Sequence, residues 1–514
     1  MANLSKDNLF VLIKSLSKSE KRHFTLYVNR LGINLDAKFL VLFNLLDKMP
    51  NYNEDEILKN KNITKLQLSN LKAHLYKQIL VSLRMNPVNQ NIRIQIREQL
   101  DFATILYQKG LYKQSLKILD KVKAIALEND EKIIASEIVE LEKVIESQYI
   151  TRSIVGRADE LIQQTKELSK LNVTASVLSN LSLQLYSIML KSGYAKSDLE
   201  MNEITEFFNK ELPEYQINEL GFREKLWLYK AHLWHSFLIQ DFLSCYKFSS
   251  KWVNLFHKNE FMIHANPVWY IKGNSYLLES LYLIKHKSNY KKALERFEET
   301  IDSEDFPKND NLKSLSLLCI YSSKFNLHFL EGDFERGLYL VDEILKALKK
   351  HEDRIDEHHI MVFYYKIACL YFGSGNNRKC IEYTKKIIEN KNLSMREDLM
   401  CFARILSLVA HYESGMDYHL EIQLKSTYKF LIKMNDLHDV QYEIIKFLKK
   451  LGTIYPHQLK SEFKKLHLQL QNLENHPYEK RAFLYLDIIS WLESKIENKP
   501  VAKIIQEKSK KLVR

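Results

Sequence analysis

The chain has 514 residues, of which 46% are apolar and 27% charged, the balance of a protein that folds around buried apolar surface. It holds only 12 Gly and 8 Pro, about a third of ordinary usage for each. That scarcity excludes a strand-and-turn design and predicts an almost all-helical chain, because helix interiors exclude both residues. The formal net charge is +12, and residues 1–100 alone carry 16 Lys and Arg against 8 Asp and Glu. Such an excess either steers the chain toward nucleic acid or an acidic surface, or is the solvated face of Lys-rich helices.

Residues 1–90 read as a unit of their own. A first helix over about 6–15 ends at Ser17-Lys18-Ser19-Glu20, the pattern of a capping box that starts the second. The second helix carries His23, Phe24, Tyr27 and Val28 and stops at Gly32. A third runs from about Asp36 to Met49, before Pro50. A short helix near Glu54–Lys59 precedes a long one over Thr64–Arg84, the latter with an apolar stripe at Leu68, Leu71, Leu75, Ile79 and Leu83. Pro87 and the polar run Asn89-Gln90-Asn91 mark the joint to the rest of the chain. The unit is either a helical cap or a helix-turn-helix whose long helix presents Lys65, Lys72, His74 and Lys77 to a nucleic-acid backbone.

The stretch Leu100–Asp130 predicts two amphipathic helices joined at Gly110. An aromatic residue stands three before that Gly (Tyr107) and two after it (Tyr112), with Ser115 and Leu116 next in the pattern. Phe329, Gly332, Phe334, Gly337 and Leu338 repeat the pattern, as do Phe372, Gly375, Asn377, Cys380 and Ile381. Taking Gly110, Ser153, Gly193, Asp241, Ser288, Gly332, Gly375 and Gly415 as turn positions gives spacings of 40 to 48 residues. A helix pair that cannot bury its apolar face alone stacks on the next pair. Residues 91–425 therefore form a repeat array, and helices over 426–514, separated by Pro456, Pro477 and Pro500, form a C-terminal cap ending in a short basic tail.

The turn resembles that of the tetratricopeptide repeat, with a longer period. The resemblance implies a right-handed α-solenoid whose first helices line a concave groove. The small residue seven before the turn is present as Ala103 and Ala368 and replaced by Phe325 and Trp234 elsewhere. In that family the positions thirteen, ten, six, three and two before each turn face the groove. Applied here, they nominate His235, Tyr282, Asn326, Phe329, Tyr365 and Phe372, an apolar and aromatic wall with an occasional polar group.

Motifs for catalysis are missing. No phosphate-cradling Gly-rich loop, nucleophile elbow or H-E-x-x-H occurs. His232 and His235 are near enough to share a metal, but Trp227, Trp234 and Phe237 crowd the same helix and no carboxylate stands at ligand spacing. Asp356-Glu357-His358-His359 reads as a helix cap. The five cysteines include no C-x-x-C and sit in amphipathic patterns, as expected of small buried hydrophobes in a reducing compartment. No signal-peptide pattern occurs, and no window approaches the 18 or more apolar residues needed to cross a bilayer. The expectation is a cytoplasmic, non-enzymatic adaptor with no cofactor, metal or membrane association, binding a protein or peptide in its groove. The alternative is a nucleic-acid-binding regulator with the array as its sensor.

Overall fold

The computed structural model of the chain describes residues 7–30, 38–60, 63–87, 91–148, 156–351, 354–390, 397–415, 417–433, 439–451, 454–474, 476–479 and 487–511. These residues contain no strand, and the fold is all-α. Gly32, Asp36, Asn89, Gln90 and Ser153 lie outside them. The chain divides into two units, residues 1–168 and 169–514.

The first unit opens with α1 (Asn8–Ser15), α2 (Lys18–Arg30), α3 (Lys38–Lys48), α4 (Glu54–Leu58) and α5 (Lys65–Met85). Their core is built from residues such as Ile13, Phe24, Leu42, Leu46, Leu75 and Ile79. The capping box forms as the sequence predicts: Ser17 N donates to Glu20 Oε2 at 2.8 Å and Glu20 N to Ser17 Oγ at 3.2 Å. A second core joins α6 (Ile92–Gln108), α7 (Tyr112–Glu128) and α8 (Lys132–Gln148). There Lys123 donates to the buried Glu142 at 2.6 Å. The long α9 (Arg157–Ser192) supplies Leu161 and Leu168 to this core, and Leu181 and Leu185 to a core of the second unit. Among the described residues α9 alone is long and apolar enough to cross a membrane, with a mean hydropathy of 1.3 over 18 residues of which 28% are buried. The sequence pattern hides it because Ser, Thr, Asn and Gln interrupt the apolar run although Val173–Leu190 carries no charge.

The second unit continues with α10 (Asp198–Glu211), α11 (Phe222–Leu238), α12 (Phe242–His257), α13 (Phe261–Ala265), α14 (Pro267–Leu283), α15 (Lys287–Asp302), α16 (Asp310–Glu331), α17 (Phe334–Leu338), α18 (Val341–Lys350), α19 (Glu357–Gly373) and α20 (Asn377–Ile388). It ends with α21 (Glu397–Glu413), α22 (Asp417–Lys433), α23 (Asp439–Lys450), α24 (Pro456–Glu474), α25 (Ile488–Glu497) and α26 (Val501–Lys511). Helices pack as neighbouring pairs, α6 on α7, α11 on α12, α14 on α15, α19 on α20 and α21 on α22. Successive first helices also touch, α14 on α16, α16 on α19 and α19 on α21.

One backbone device recurs at five helix-to-helix turns. Gly110, Gln240, Lys285, Gly332 and Gly375 all take a left-handed φ between 54° and 83°. In each turn the next amide bonds back five residues, Leu111 to Leu106, Asp241 to Ser236, His286 to Leu281, Asp333 to His328 and Asn376 to Tyr371, at 2.8–3.1 Å. That bond satisfies a helix-terminal carbonyl otherwise left without a partner. The left-handed residues at the fourth and fifth turns are therefore Gln240 and Lys285, correcting Asp241 and Ser288. In this register each of these five turns has an aromatic residue three before it: Tyr107, Phe237, Tyr282, Phe329 and Phe372. The residues five after it, Ser115, Cys245, Tyr290, Gly337 and Cys380, are all buried.

The C-terminal segment returns to earlier helices. α26 packs on α16, with Gln506 Nε2 donating to Gly332 O at 3.0 Å, and the Tyr478 hydroxyl donates to Asp198 at 2.5 Å. A Cβ at Gly332 would stand 2.9 Å from Ala502 O, whereas one at Gly375 meets nothing within 4 Å. Both substitutions carry a left-handed penalty of about 1–2 kcal/mol, and only Gly332→Ala must also displace α26. Gly332→Ala should therefore lower stability by about 1–3 kcal/mol more than Gly375→Ala, and should open Val501–Lys511 to limited proteolysis. Equal shifts in chemical denaturation would show that α26 does not hold this turn.

Candidate functional site

Three consecutive first helices, α14, α16 and α19, bring polar side chains to one place. Cys319 on α16 receives side-chain hydrogen bonds from Ser275 on α14 and from Ser323. Asn326 Oδ1, one turn further along α16, accepts from the Lys366 ammonium of α19. The Tyr290 hydroxyl of α15 donates to Ser323 O at 2.9 Å. Glu279 on α14 is close enough to act electrostatically on Lys366, Cys319 and Tyr290, yet forms no ion pair with Lys366. Tyr282 acts in the same way on Tyr290 and Tyr365. Asn326, Cys319, Ser323 and Tyr365 are buried, while Ser275, Glu279, Tyr282, Lys366 and Cys369 keep part of their surface.

The local electrostatics come from lost water. Burial pushes the Lys366 amine below its ordinary value, against the pull of Glu279. Burial likewise raises the Cys319 and Cys369 thiols to about 12 and holds the Tyr365 hydroxyl well above its usual range. The two thiols and the Tyr365 hydroxyl are therefore neutral at physiological pH. A carboxylate and an ammonium that face each other without forming an ion pair suit a ligand presenting a donor to one and an acceptor to the other.

Of the residues nominated from sequence, Asn326, Tyr282 and Tyr365 lie in this cluster. Phe329 instead closes its turn, its ring 6.2 Å from Phe334 at 38°, much as Tyr107 meets Tyr112 at 5.8 Å and 36°. Phe372, at the same turn position, is part of the core. His235 is turned toward α10, where its ring stacks on Phe208 at 4.3 Å and its Nε2 meets Thr205 Oγ1 at 3.3 Å. The cause is the one-residue register error, since one residue is 100° of helix. Six residues before the corrected turn stands Trp234, packed between Tyr186 at 4.9 Å and Tyr276 at 5.7 Å.

His232 stacks on Phe248 at 4.3 Å, and burial pushes both imidazoles down to about 4. Among the described residues no three His, Cys, Asp or Glu side chains are grouped to hold a metal ion. Asp356 caps α19, accepting from His359 N at 2.9 Å. In the N-terminal bundle Lys65 and Lys77 are exposed. Lys72 is largely covered, paired with Asp7 at 2.9 Å and hydrogen-bonded to the Tyr52 hydroxyl, so it is not the free surface cation that the stripe on α5 suggested.

Glu279 and Lys366 are not marked by the repeat pattern. In the corrected register Glu279 stands six residues before its turn, aligned with Asn326 and Cys369, and Lys366 is the only charged residue in the apolar run Ile360–Gly373. A lone charge inside a helix that otherwise reads as core was the available signal. No protein-family model, no curated protein and no solved structure matches this chain.

The Asn326–Lys366 contact makes a mutational cycle informative. Asn326→Ala removes the acceptor of a buried ammonium and should destabilise by about 1–3 kcal/mol. Lys366→Met should be near neutral, and combined with Asn326→Ala should recover part of that loss. A lysine whose folded pKa is lowered binds fewer protons than in the unfolded chain. The wild type should therefore gain stability relative to Lys366→Met as pH rises toward the ordinary lysine value of 10.5. Denaturation curves between pH 7 and 10 check the sign, and a pH-independent difference would mean that Lys366 is solvated.

Proposed function

We propose that this chain is a non-enzymatic, tetratricopeptide-like helical-repeat protein that holds a protein segment or peptide along the first helices α11, α14, α16 and α19. The observation that supports it most is the meeting of Glu279, Asn326 and Lys366 from three successive helices, with Tyr282 and Ser275 beside them. An extended backbone carries alternating N–H donors and C=O acceptors, the partners that a carboxylate on one side and an amide with an ammonium on the other would take. Tyr282 and the wall around it offer aromatic surface for side-chain contacts. The five free thiols fit a reducing, cytoplasmic setting.

The experiment is a pull-down from native lysate, with and without nuclease, using three forms of the full chain. Wild type and a Lys65→Glu, Lys77→Glu double variant should capture the same protein partner whether or not nuclease is present. Glu279→Gln with Lys366→Met should lose most of it. A partner released by nuclease, with binding that falls steeply with salt and vanishes in the lysine variant, would instead mark a nucleic-acid-binding protein that works through α5.

A further inference from the structure

The last helix pair ties together parts of the array that are not neighbours. α25 and α26 are joined at Asn498, which takes a left-handed φ of 55°, and Lys499 N donates back to Ser494 O at 3.0 Å. The first helix of this pair is fixed near the turn at Gly415. There the fully buried Trp491 donates from Nε1 to Glu413 at 2.7 Å, and Lys495 pairs with the same carboxylate. The second helix, α26, reaches the turn at Gly332. Gln506 donates to Gly332 O, and a Cβ on Gly332 would stand 2.9 Å from Ala502 O and 3.0 Å from Gln506 N. Two residues after the turn at Lys285, Lys287 Nζ donates to the buried Ser509 hydroxyl at 3.2 Å. The same ammonium lies 3.4 Å from Glu331, beside Gly332, so α15, α16 and α26 share one polar knot.

These contacts fall at the turns of three pairs, α14–α15, α16–α17 and α21–α22. In a repeat array each pair is ordinarily held by its neighbours alone. The Gly375 turn of the intervening pair stays open, with nothing within 4 Å of a Cβ placed there. α26 is also lightly seated. Only Ile504 and Ser509 are buried on it, whereas α25 buries Ile488, Ile489, Trp491 and Leu492. Lys508 is tied within the pair, to Glu493 at 2.7 Å and to Ser490 at 3.0 Å, and Lys503, Lys510 and Lys511 are exposed. A short helix with one fully buried apolar side chain opens at lower cost than the core helices it rests on.

We propose that α26 is a detachable brace which, when docked, holds α14 and α16 at a fixed spacing through their turns. Released, it lets that spacing vary. Glu279 and Asn326 stand on these two helices, each six residues before its turn, so the brace acts on the gap between them. Its control over a ligand rests on the groove reading; the brace itself does not. Whatever binds across α14 and α16 at the docked spacing tightens α26 onto Gly332, and by the same linkage release of α26 weakens what is bound.

The test is hydrogen exchange on the full chain, comparing wild type with Ile504→Asp and with the double change Gln506→Ala, Ser509→Ala, which keeps the apolar contact. Both should speed exchange over residues 280–291 and 326–337 about tenfold, with the Gly110 turn and α12 as in wild type. A synthetic peptide of residues 499–511, at millimolar concentration, should restore slow exchange in the Ile504→Asp chain, which it would not do for a misfolded one. Faster exchange confined to α25 and α26, or no effect of the peptide, would overturn the brace. Partner capture from lysate should fall several-fold in Ile504→Asp and return with the peptide. Changed exchange with unchanged capture would overturn the brace's control of the groove. Changed exchange with no capture by any form, wild type included, would sink the groove reading and leave the brace standing.

Discussion

Two helices can fold back on each other through a few residues only if one leaves the right-handed region and the stranded carbonyls find donors. In this chain that constraint is met by the same pair of backbone bonds at residue 110, 240, 285, 332 and 375. Glycine bears the left-handed conformation without penalty at three of these, but Gln240 and Lys285 carry side chains, a cost of about 1–2 kcal/mol each. Something outside the turn must offset it, and the neighbouring packing does so. Cys245 and Tyr290, five residues on, are fully buried, and the Tyr290 hydroxyl is anchored on Ser323 O. The turn fixes the pair, the buried residue after it locks the second helix, and the first helices are left side by side.

That alignment sets which residues of neighbouring first helices can meet. Positions six, nine, ten and thirteen before the turn fall on one side of each first helix, and a polar residue placed there meets others of its kind from the next helix. Glu279, Asn326 and Lys366 are such a set, and lost water makes Asn326 and Lys366 expensive to leave without a partner. Such groups add little to stability, since apolar residues in their place would pack at lower cost. The two imidazoles on α11 contrast with them. Stacked on Phe208 and Phe248, His232 and His235 are held neutral far below physiological pH and act as flat packing surfaces.

What could be read from the sequence was local. The Ser17–Glu20 capping box, the Asp356 cap and the turns at Gly110, Gly332 and Gly375 are each decided within a few residues, and each is found in the structure. Gln240 and Lys285 escaped notice because no glycine marks them, and the slip carried His235 off the wall while leaving Trp234 and Glu279 unread. Lys72 looked exposed on its own helix, but its partner Asp7 is 65 residues away. The contact of Gln506 with Gly332 spans 174 residues. Pairings at such separation leave no trace in a local pattern. Lys366 failed for a different reason: a charge in an apolar helix is ordinarily taken as solvated, and the fold covers much of it.

The cysteines gain a meaning from their distribution. Cys245, Cys319, Cys380 and Cys401 sit on α12, α16, α20 and α21, all buried, with Cys369 partly covered on α19. Burial raises the thiols of Cys319, Cys369 and Cys380, so at neutral pH the nucleophilic thiolate is scarce in the closed protein. The buried cysteines become accessible only when their own helix pairs come apart. The second unit thus carries a string of latent chemical timers, one for nearly every helix pair from α11 to α21. The order in which a thiol reagent reaches them would record which pairs part first and which part last.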